Sequence, residues 1–125
     1  MDCNHEHDFN YKYCARTKKL AIEICKEFNT LQTKESTRIV IKQILRSATS
    51  VAANFRAASR ARSRAEYYSK ICIVVEECDE TLFWLEILSE ADLYPKAKLL
   101  GKIVESNELL KIFSTTKKKL RDKMP

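Results

Sequence analysis

The sequence has almost none of the residues that turn a chain sharply. Its 125 residues include one glycine, Gly101, and two prolines, Pro95 and Pro125. Glycine supplies the positive φ angles of tight turns and bulges, and proline fixes φ in many others, so their scarcity argues against a fold of many short strands. We therefore expect nearly all of the chain to be helical.

Long apolar runs are also missing. No run approaches the roughly 20 residues that cross a bilayer as a helix, so no membrane partner is expected. Residues 1–8 are polar and do not resemble a secretory leader. The cysteines are odd in number and form no C-x-x-C pair, which predicts a reducing, cytoplasmic location with the thiols mostly acting as small core residues. They are Cys3, Cys14, Cys25, Cys72 and Cys78.

The chain lacks the residue sets on which most catalytic sites depend. Its two histidines, His5 and His7, both precede the first predicted helix, so the folded part lacks the usual general base. No P-loop, dinucleotide-binding glycine motif or Ser-His-Asp set is present. We therefore expect a protein that is not an enzyme and that needs no cofactor.

Two clusters resemble metal sites in composition only. The first lies at the N-terminus, where we expect no structure to hold ligand geometry. The second lies on the third predicted helix and lacks the E-x-x-H motifs of di-iron bundles. No metal site is expected from either. Their members are Cys3, His5, His7 and Asp8 in the first, and Glu76, Glu77, Asp79 and Glu80 in the second.

What the sequence does contain is apolar residues that recur three and four positions apart in four segments. With 45% hydrophobic residues, the chain is long enough for one core. The pattern predicts an all-α, antiparallel up-down-up-down four-helix bundle over residues 11–121, after a flexible N-terminus at 1–10 and before a C-terminal tail at 122–125. The helices are predicted at about 11–30, 36–58 and 63–91, with a fourth from Pro95 that frays beyond Lys117.

Capping residues mark two of the predicted helix starts. Ser36 or Thr37 is suited to cap the second helix, because a hydroxyl accepts a hydrogen bond from a free backbone N–H. Ser63 and Glu66 form an S-x-x-E capping box that predicts the start of the third.

The third predicted helix has more apolar surface than the core of a bundle requires. A helix that is apolar nearly all round is buried nearly all round. Either the neighbouring helices wrap it more fully, or a second subunit covers it. The residues partly off its core stripe are Ile73, Val75, Phe83, Trp84 and Ile87.

Charge is distributed very unevenly along the chain. From Arg38 to Lys70 eight cations stand against one carboxylate, a net charge of +7, and from Ile71 to Asp92 there are seven carboxylates and no cation. A tail at 111–125 adds a further +5. This order opposes the macrodipole of the third helix, so helix stability does not explain it. We expect an external partner or a second chain to neutralise these charges.

Two interpretations of the arginines stay open, besides a solvated surface. They could bind the phosphates of a nucleic acid, or they could pair with carboxylates of a neighbouring subunit. Asn54, on an apolar stripe, could fix register as a buried asparagine does in coiled coils. The predicted nucleic-acid contacts are Arg46, Arg56, Arg60, Arg62, Arg64 and Lys70. The predicted subunit contacts are Asn54, Glu76, Asp79, Glu80, Phe83 and Trp84.

The run SVAANFRAASRARSRAEYYSKICIVVEECDETLFWLEIL at residues 50–88 resembles the four-helix-bundle proteins encoded within intervening sequences of bacterial 23S ribosomal RNA genes. The resemblance covers roughly residues 16–115. Its main positions are Ser50, Ala53, Asn54, Arg56, Arg60, Ser63, Glu66, Glu77, Glu80, Thr81, Trp84 and Leu85.

The resemblance implies a ring-forming bundle, with five subunits favoured. A related group, the accessory variability determinants of diversity-generating retroelements, looks similar in fold and is a basic pentamer that works with a reverse transcriptase on RNA. We therefore expect a non-catalytic, ring-forming protein that binds nucleic acid, with RNA favoured. The alternative is a protein-interaction scaffold or accessory subunit, for example to a reverse transcriptase, whose arginines mainly close subunit interfaces.

Overall fold

The computed structural model describes residues 3–125, with side chains from His5 onward, and in that range the chain forms four helices and no strand. The prediction of an all-helical four-helix bundle is confirmed. The up-down-up-down order stays a prediction, and the contacts between helices agree with it. The helices are α1 (Cys3–Glu27), α2 (Glu35–Ser59), α3 (Arg64–Glu90) and α4 (Lys96–Lys123).

One apolar core joins all four helices. Near one end of the bundle the ring of Phe113 on α4 lies 5.7 Å from Tyr13 of α1 and 5.1 Å from Phe55 of α2, measured between ring centroids. Phe55 and Phe113 are fully buried, and so are Ile71 and Leu85 of α3. Each such side chain contributes about 1.5–3 kcal/mol relative to an exposed one, so these contacts fix how the helices pack.

The first helix begins at Cys3, well before the predicted start at residue 11. Phe9 explains the extension, because its ring lies 4.6 Å from that of Tyr13 and 6.2 Å from that of Phe55. Tyr67 of α3 also donates a hydrogen bond from its hydroxyl to Asn10 Oδ1, at 3.0 Å. Tertiary contacts of this kind stabilise a polar helix that its own periodicity does not predict. Met1 and Asp2, part of the predicted flexible N-terminus, lie outside the described residues.

The chain reverses between α2 and α3 within residues 60–63. Ser63 caps α3 as predicted, because its Oγ accepts a hydrogen bond from the backbone N–H of Glu66 at 3.1 Å. The Glu66 carboxylate accepts from the N–H of Arg62 at 3.3 Å, whereas a capping box would use that of Ser63. The box is thus shifted by one residue, and it still holds the turn to the start of α3.

Several predictions about helix ends were wrong. Lys34 is the N-cap of α2 and makes no side-chain bond there, so neither Ser36 nor Thr37 caps this helix. The fourth helix continues to Lys123 without the predicted fraying, because Leu120, only 6% exposed, anchors its last turns in the core. The first helix ends at Glu27, before the predicted end near residue 30, and Leu31 beyond it is 88% exposed.

The prediction that the thiols are mostly core residues was also wrong. Among the cysteine side chains that the structure describes, only Cys78 is buried, and burial raises the pKa of its thiol to about 12. Cys14 and Cys72 are half-buried and Cys25 is exposed, while the side chain of Cys3 lies outside the described residues. No helix within residues 3–125 is long and apolar enough to span a membrane.

The cap of α3 gives a stability prediction with a matched control. Ser63→Ala removes the bond to the Glu66 N–H and should lower the free energy of unfolding by about 1 kcal/mol. Ser36→Ala is the control, because this exposed serine starts α2 without a capping bond. Urea unfolding followed by circular dichroism measures both variants. Equal effects of the two substitutions would contradict the assigned cap.

Candidate nucleic-acid interface

Arg46, predicted to contact nucleic acid, is engaged within the chain. Its Nη1 donates to Glu77 Oε2 of α3 at 2.9 Å, its Nη2 donates to Glu80 Oε1, and its Nε donates to Gln43 Oε1 at 3.1 Å. The single positive charge of Arg46 on α2 thus offsets part of the negative charge of the acidic segment within the same molecule. The expectation that an external partner or a second chain neutralises these charges is corrected for this group, and contact of Arg46 with nucleic acid stays a prediction.

Glu80 and Trp84, both predicted as subunit contacts, bind each other and are half-buried within the chain. Trp84 Nε1 donates to Glu80 Oε1 at 3.2 Å. The guanidinium of Arg46, followed by this indole bond, holds the pKa of Glu80 below its usual value. By contrast, Glu76 and Asp79 are exposed and make no ion pair within residues 5–125, and Phe83 is 50% exposed. Glu76, Asp79 and Phe83 are therefore the predicted subunit contacts that remain exposed in the single chain.

The arginines from Arg56 to Arg64, at the end of α2, in the following turn and at the start of α3, have no pair of carboxylates beside them as Arg46 has. Arg56, Arg60 and Arg64 are exposed, and none makes an ion pair with any side chain that the structure describes. Arg62 Nε lies 3.8 Å from Glu66 Oε2, but its side chain is 91% exposed, so the pair contributes little. Lys70 is half-buried and makes no ion pair with a carboxylate among the side chains that the structure describes.

The end of α4 brings further cations to the same place. A cleft of about 320 Å³ is lined by Arg64, Lys119 and Lys123 above an apolar floor that includes Tyr67 and Leu120. A second cleft of about 200 Å³ shares Arg64 and Tyr67 and extends to Ser59 and Arg62. Among the side chains that the structure describes, Glu6 is the only carboxylate that lines either cleft. We call this surface the basic end and define it by Arg56, Arg60, Arg62, Arg64, Lys119 and Lys123.

Sequence reasoning treated the arginine segment and the basic tail as separate features and therefore missed Lys119 and Lys123. The tail is an ordered part of α4, and Tyr67 and Leu120, both 6% exposed, bring the start of α3 close to the end of α4. Burial raises the pKa of the Tyr67 hydroxyl to about 12, so it stays protonated and keeps its bond to Asn10 at neutral pH. The third and fourth predicted helices are similar in length. In an antiparallel arrangement this similarity places the end of the fourth helix beside the start of the third, and it could have linked the two basic segments.

Asn54 does not bridge two helices. Its Nδ2 donates to the carbonyl oxygen of Ser50 at 2.9 Å and to Ser50 Oγ at 3.0 Å, one turn earlier on α2. A bond within one helix cannot set the register between helices. Its predicted place in a subunit interface stays a prediction, since the side chain is half-buried.

Charges at the contact between α1 and α4 are also paired within the chain. Arg16 Nη2 lies 2.6 Å from Glu105 Oε1 and 3.2 Å from Glu108 Oε1. At the other end of α1, Glu27 accepts hydrogen bonds from the Tyr94 hydroxyl at 2.6 Å and Lys102 Nζ at 3.4 Å. The pKa of Tyr94 is raised to about 12, first by burial and then by this bond. These pairs tie α1 to α4 and offset positive charge away from the basic end.

The N-terminal cluster of Cys3, His5, His7 and Asp8 lies on α1. The expectation that this terminus has no structure is therefore wrong. Among the described side chains, no three histidines, cysteines or carboxylates come together as a metal site would require. The side chain of Cys3 lies outside that description.

The fold and the site together define a four-helix bundle with a cluster of exposed cations at one end. The family described as 23S rRNA-intervening sequence protein matches residues 10–115, and the chain belongs to this family. The resemblance seen in the sequence is thus confirmed for that family. The link to retroelement determinants stays a prediction.

A solved structure from Bacteroides thetaiotaomicron is similar to this chain. It is described as a protein with unknown function from the S23 ribosomal protein family. The two chains are 29% identical, the match covers 90% of this chain and 98% of that one, and the TM-score is 0.62. No match was found among curated proteins.

The contact of Arg46 with α3 makes a pH-dependent prediction. Arg46→Gln should lower the free energy of unfolding by roughly 0.2–1 kcal/mol at pH 7, because both partners are partly solvated. The pKa of Glu80 is lowered by folding, so its contribution is complete above the usual value of 4.5 and is lost as the pH falls through the lower folded pKa. The difference between variant and wild type should therefore disappear in acid. Arg56→Gln is the control, and a difference that persists in acid would contradict this pairing. Urea titrations at one protein concentration measure the difference in the free energy of unfolding.

Proposed function

We propose that this protein is a non-catalytic, ring-forming helical bundle that binds RNA through its basic end. The observation that carries the proposal is the gathering of exposed cations, unpaired within the described chain, from α2 and from the start of α3. Lys119 and Lys123 of α4 add to them around one cleft. A surface of this kind attracts a polyanion, because each neutralised phosphate releases a bound counterion.

A ring would strengthen this attraction. One chain has a modest net charge of +6, whereas several basic ends held together would sum into a stronger field. The description of the family refers to an intervening sequence of 23S rRNA, so RNA is the nucleic acid to test first.

The outer side of α3 is the candidate surface for ring closure. Phe83 is half-exposed beside Trp84, with ring centroids 5.0 Å apart, and the exposed Asp79 lies one turn earlier. Aromatic anchors beside charged groups are typical of subunit contacts. A head-to-tail contact would lay such carboxylates beside cations of the next subunit and close into a ring when the rotation fits.

A protein-interaction scaffold is the second candidate, and one observation favours it. Leu100 and Val104 of α4 are 64% and 56% exposed and lie one turn apart, so a single face of α4 presents two large apolar side chains. Apolar surface of this kind is typical of protein contacts. Scaffold binding would change little with salt, whereas RNA binding would weaken steeply.

The basic end is tested by removing its charge. The quadruple variant Arg56→Gln, Arg60→Gln, Arg62→Gln, Arg64→Gln should weaken binding of a labelled RNA at least tenfold at about 50 mM salt and should flatten its salt dependence. The control removes four cations from the other end of the bundle, with Lys26, Lys34, Lys96 and Lys98 changed to Gln. Fluorescence anisotropy measures affinity, and circular dichroism checks the helices. Equal losses in the two variants would leave no specific role for the basic end, and a wild type that binds no RNA would refute the proposal.

The ring is tested on α3 without disturbing the contacts of Arg46. Because Glu80 binds both Arg46 and Trp84, changing it would also weaken the bundle. Phe83→Ser combined with Asp79→Lys avoids this, and should shift the protein from an oligomer toward the 14.5 kDa monomer with its helical signal unchanged. Leu31→Ser is the control for losing an exposed apolar side chain. Light scattering after size exclusion decides the result, and a wild-type monomer at tens of micromolar would rule out the ring.

A further inference from the structure

A groove between α1 and α2 includes Arg56 and Arg60 of the basic end and is distinct from the two clefts described above. It has a volume of about 520 Å³ and continues into a neighbouring hollow of about 440 Å³. Tyr11 and Arg60 line both parts. The groove is therefore a continuous surface feature that begins where the unpaired arginines lie.

Two helical stripes form the sides of this groove. On α1 the residues Tyr11, Ala15 and Lys18 follow one another at helical spacing, and all three are exposed. On α2 the matching stripe is Ala53, Arg56 and Arg60, also exposed. The small side chains of Ala15, Ala52 and Ala53 form the floor of the groove. Lys18 lies on its α1 side, and Arg56 and Arg60 lie on its α2 side. The stripe on α2 spans about 10 Å along the helix axis, which suits a short extended ligand.

Tyr11 is the unusual residue of the groove. Its side chain is 76% exposed, although an aromatic ring gains most from burial, and no ring contact or hydrogen bond holds it within the described chain. An exposed ring beside a cationic groove is the arrangement by which proteins bind single-stranded nucleic acid, with bases stacked on the ring and phosphates neutralised alongside. In a duplex the base faces are already stacked on each other and cannot reach such a ring.

We infer that the α1–α2 groove binds single-stranded RNA, with an unpaired base stacked on Tyr11 and the adjoining phosphates contacted by Lys18, Arg56 and Arg60. This inference rests on the proposed function and specifies the form of RNA and the residue that recognises a base. Stacking and charge make separable contributions. Tyr11 supplies base contact without charge, whereas the three cations supply the salt dependence.

The experiment compares two strands and three proteins. The probes are a labelled 12-nucleotide single-stranded RNA of mixed sequence and the same strand with its central bases removed, so that both carry the same phosphates. The wild type should bind the intact strand more tightly than the abasic one. Tyr11→Ala should weaken binding of the intact strand roughly 5- to 100-fold, the value of one stacked base, and should leave the abasic strand nearly unaffected. Tyr11→Phe should keep the affinity of the wild type, because its ring still stacks.

Salt titration and a second pair of variants complete the test. Tyr11→Ala should leave the slope of log affinity against log salt unchanged, whereas Arg56→Gln with Arg60→Gln should reduce it by about 1.4, for two contacts on a single strand. Leu31→Ala, at an exposed apolar residue away from the groove, should change neither quantity.

The outcomes separate this inference from the proposed function. A wild type that binds no RNA overturns both. RNA binding that Tyr11→Ala leaves unchanged, or equal affinity of the wild type for the intact and the abasic strand, overturns the groove while the basic end stands. A lower oligomer mass for Tyr11→Ala would show that the groove is a subunit contact and would also overturn it.

Discussion

The register between α2 and α3 is the constraint on which the charge pattern of the molecule depends. The Thr81 hydroxyl donates to Ser47 Oγ at 2.8 Å inside the core, and beside this bond Arg46 reaches the carboxylates of Glu77 and Glu80. Thr81 Oγ1 also lies 2.8 Å from the carbonyl oxygen of Glu77, and Ser47 Oγ lies 3.4 Å from that of Ile44, so both buried hydroxyls are satisfied in this register. With residue 46 held opposite residues 77–80, the end of α2 lies beside the start of α3, where Glu66 is the only acid before Glu76. The arginines beyond Arg46 are left without partners as a result.

The same register also decides which cations meet. Because α4 follows α3 into the core as far as Leu120, its final turns come to the start of α3, and two basic segments far apart in sequence share one cleft. The first turns of α1 complete this end through Phe9 and Asn10. Like charges held this close repel one another, so the basic end costs the folded state some stability that the aromatic contacts of the core offset. Such a cost is expected at a surface that binds an anion.

Periodicity predicted the helices well where a helix has an apolar stripe. The bounds of α2 and α3 differ from the prediction by one residue at most, since Ile44, Val51, Ile71 and Leu85 mark their inner faces. It failed for the first turns of α1, where Phe9 alone among the described side chains before residue 11 packs against the core. The candidate site was harder to predict, because the sequence shows that Arg46 and Arg56 carry the same charge but not which carboxylates lie opposite them. Which carboxylates lie opposite an arginine depends on the register between α2 and α3. The role of Tyr11 could not be predicted from the sequence, because its exposure is a property of the folded chain.

The separation of charge along the bundle has a consequence for encounters in solution. Exposed carboxylates such as Asp79 and Glu90 lie in the second half of α3, while the basic end lies at its start, so the charge distribution has a dipole along the long axis of the bundle. A polyanion would orient such a rod before touching it, attracting one end and repelling the opposite one. Collisions that begin sideways would turn end-on within about 10 Å, the distance over which charges act at moderate salt. The dipole would therefore raise the fraction of productive collisions, and this gain would fade as salt is added.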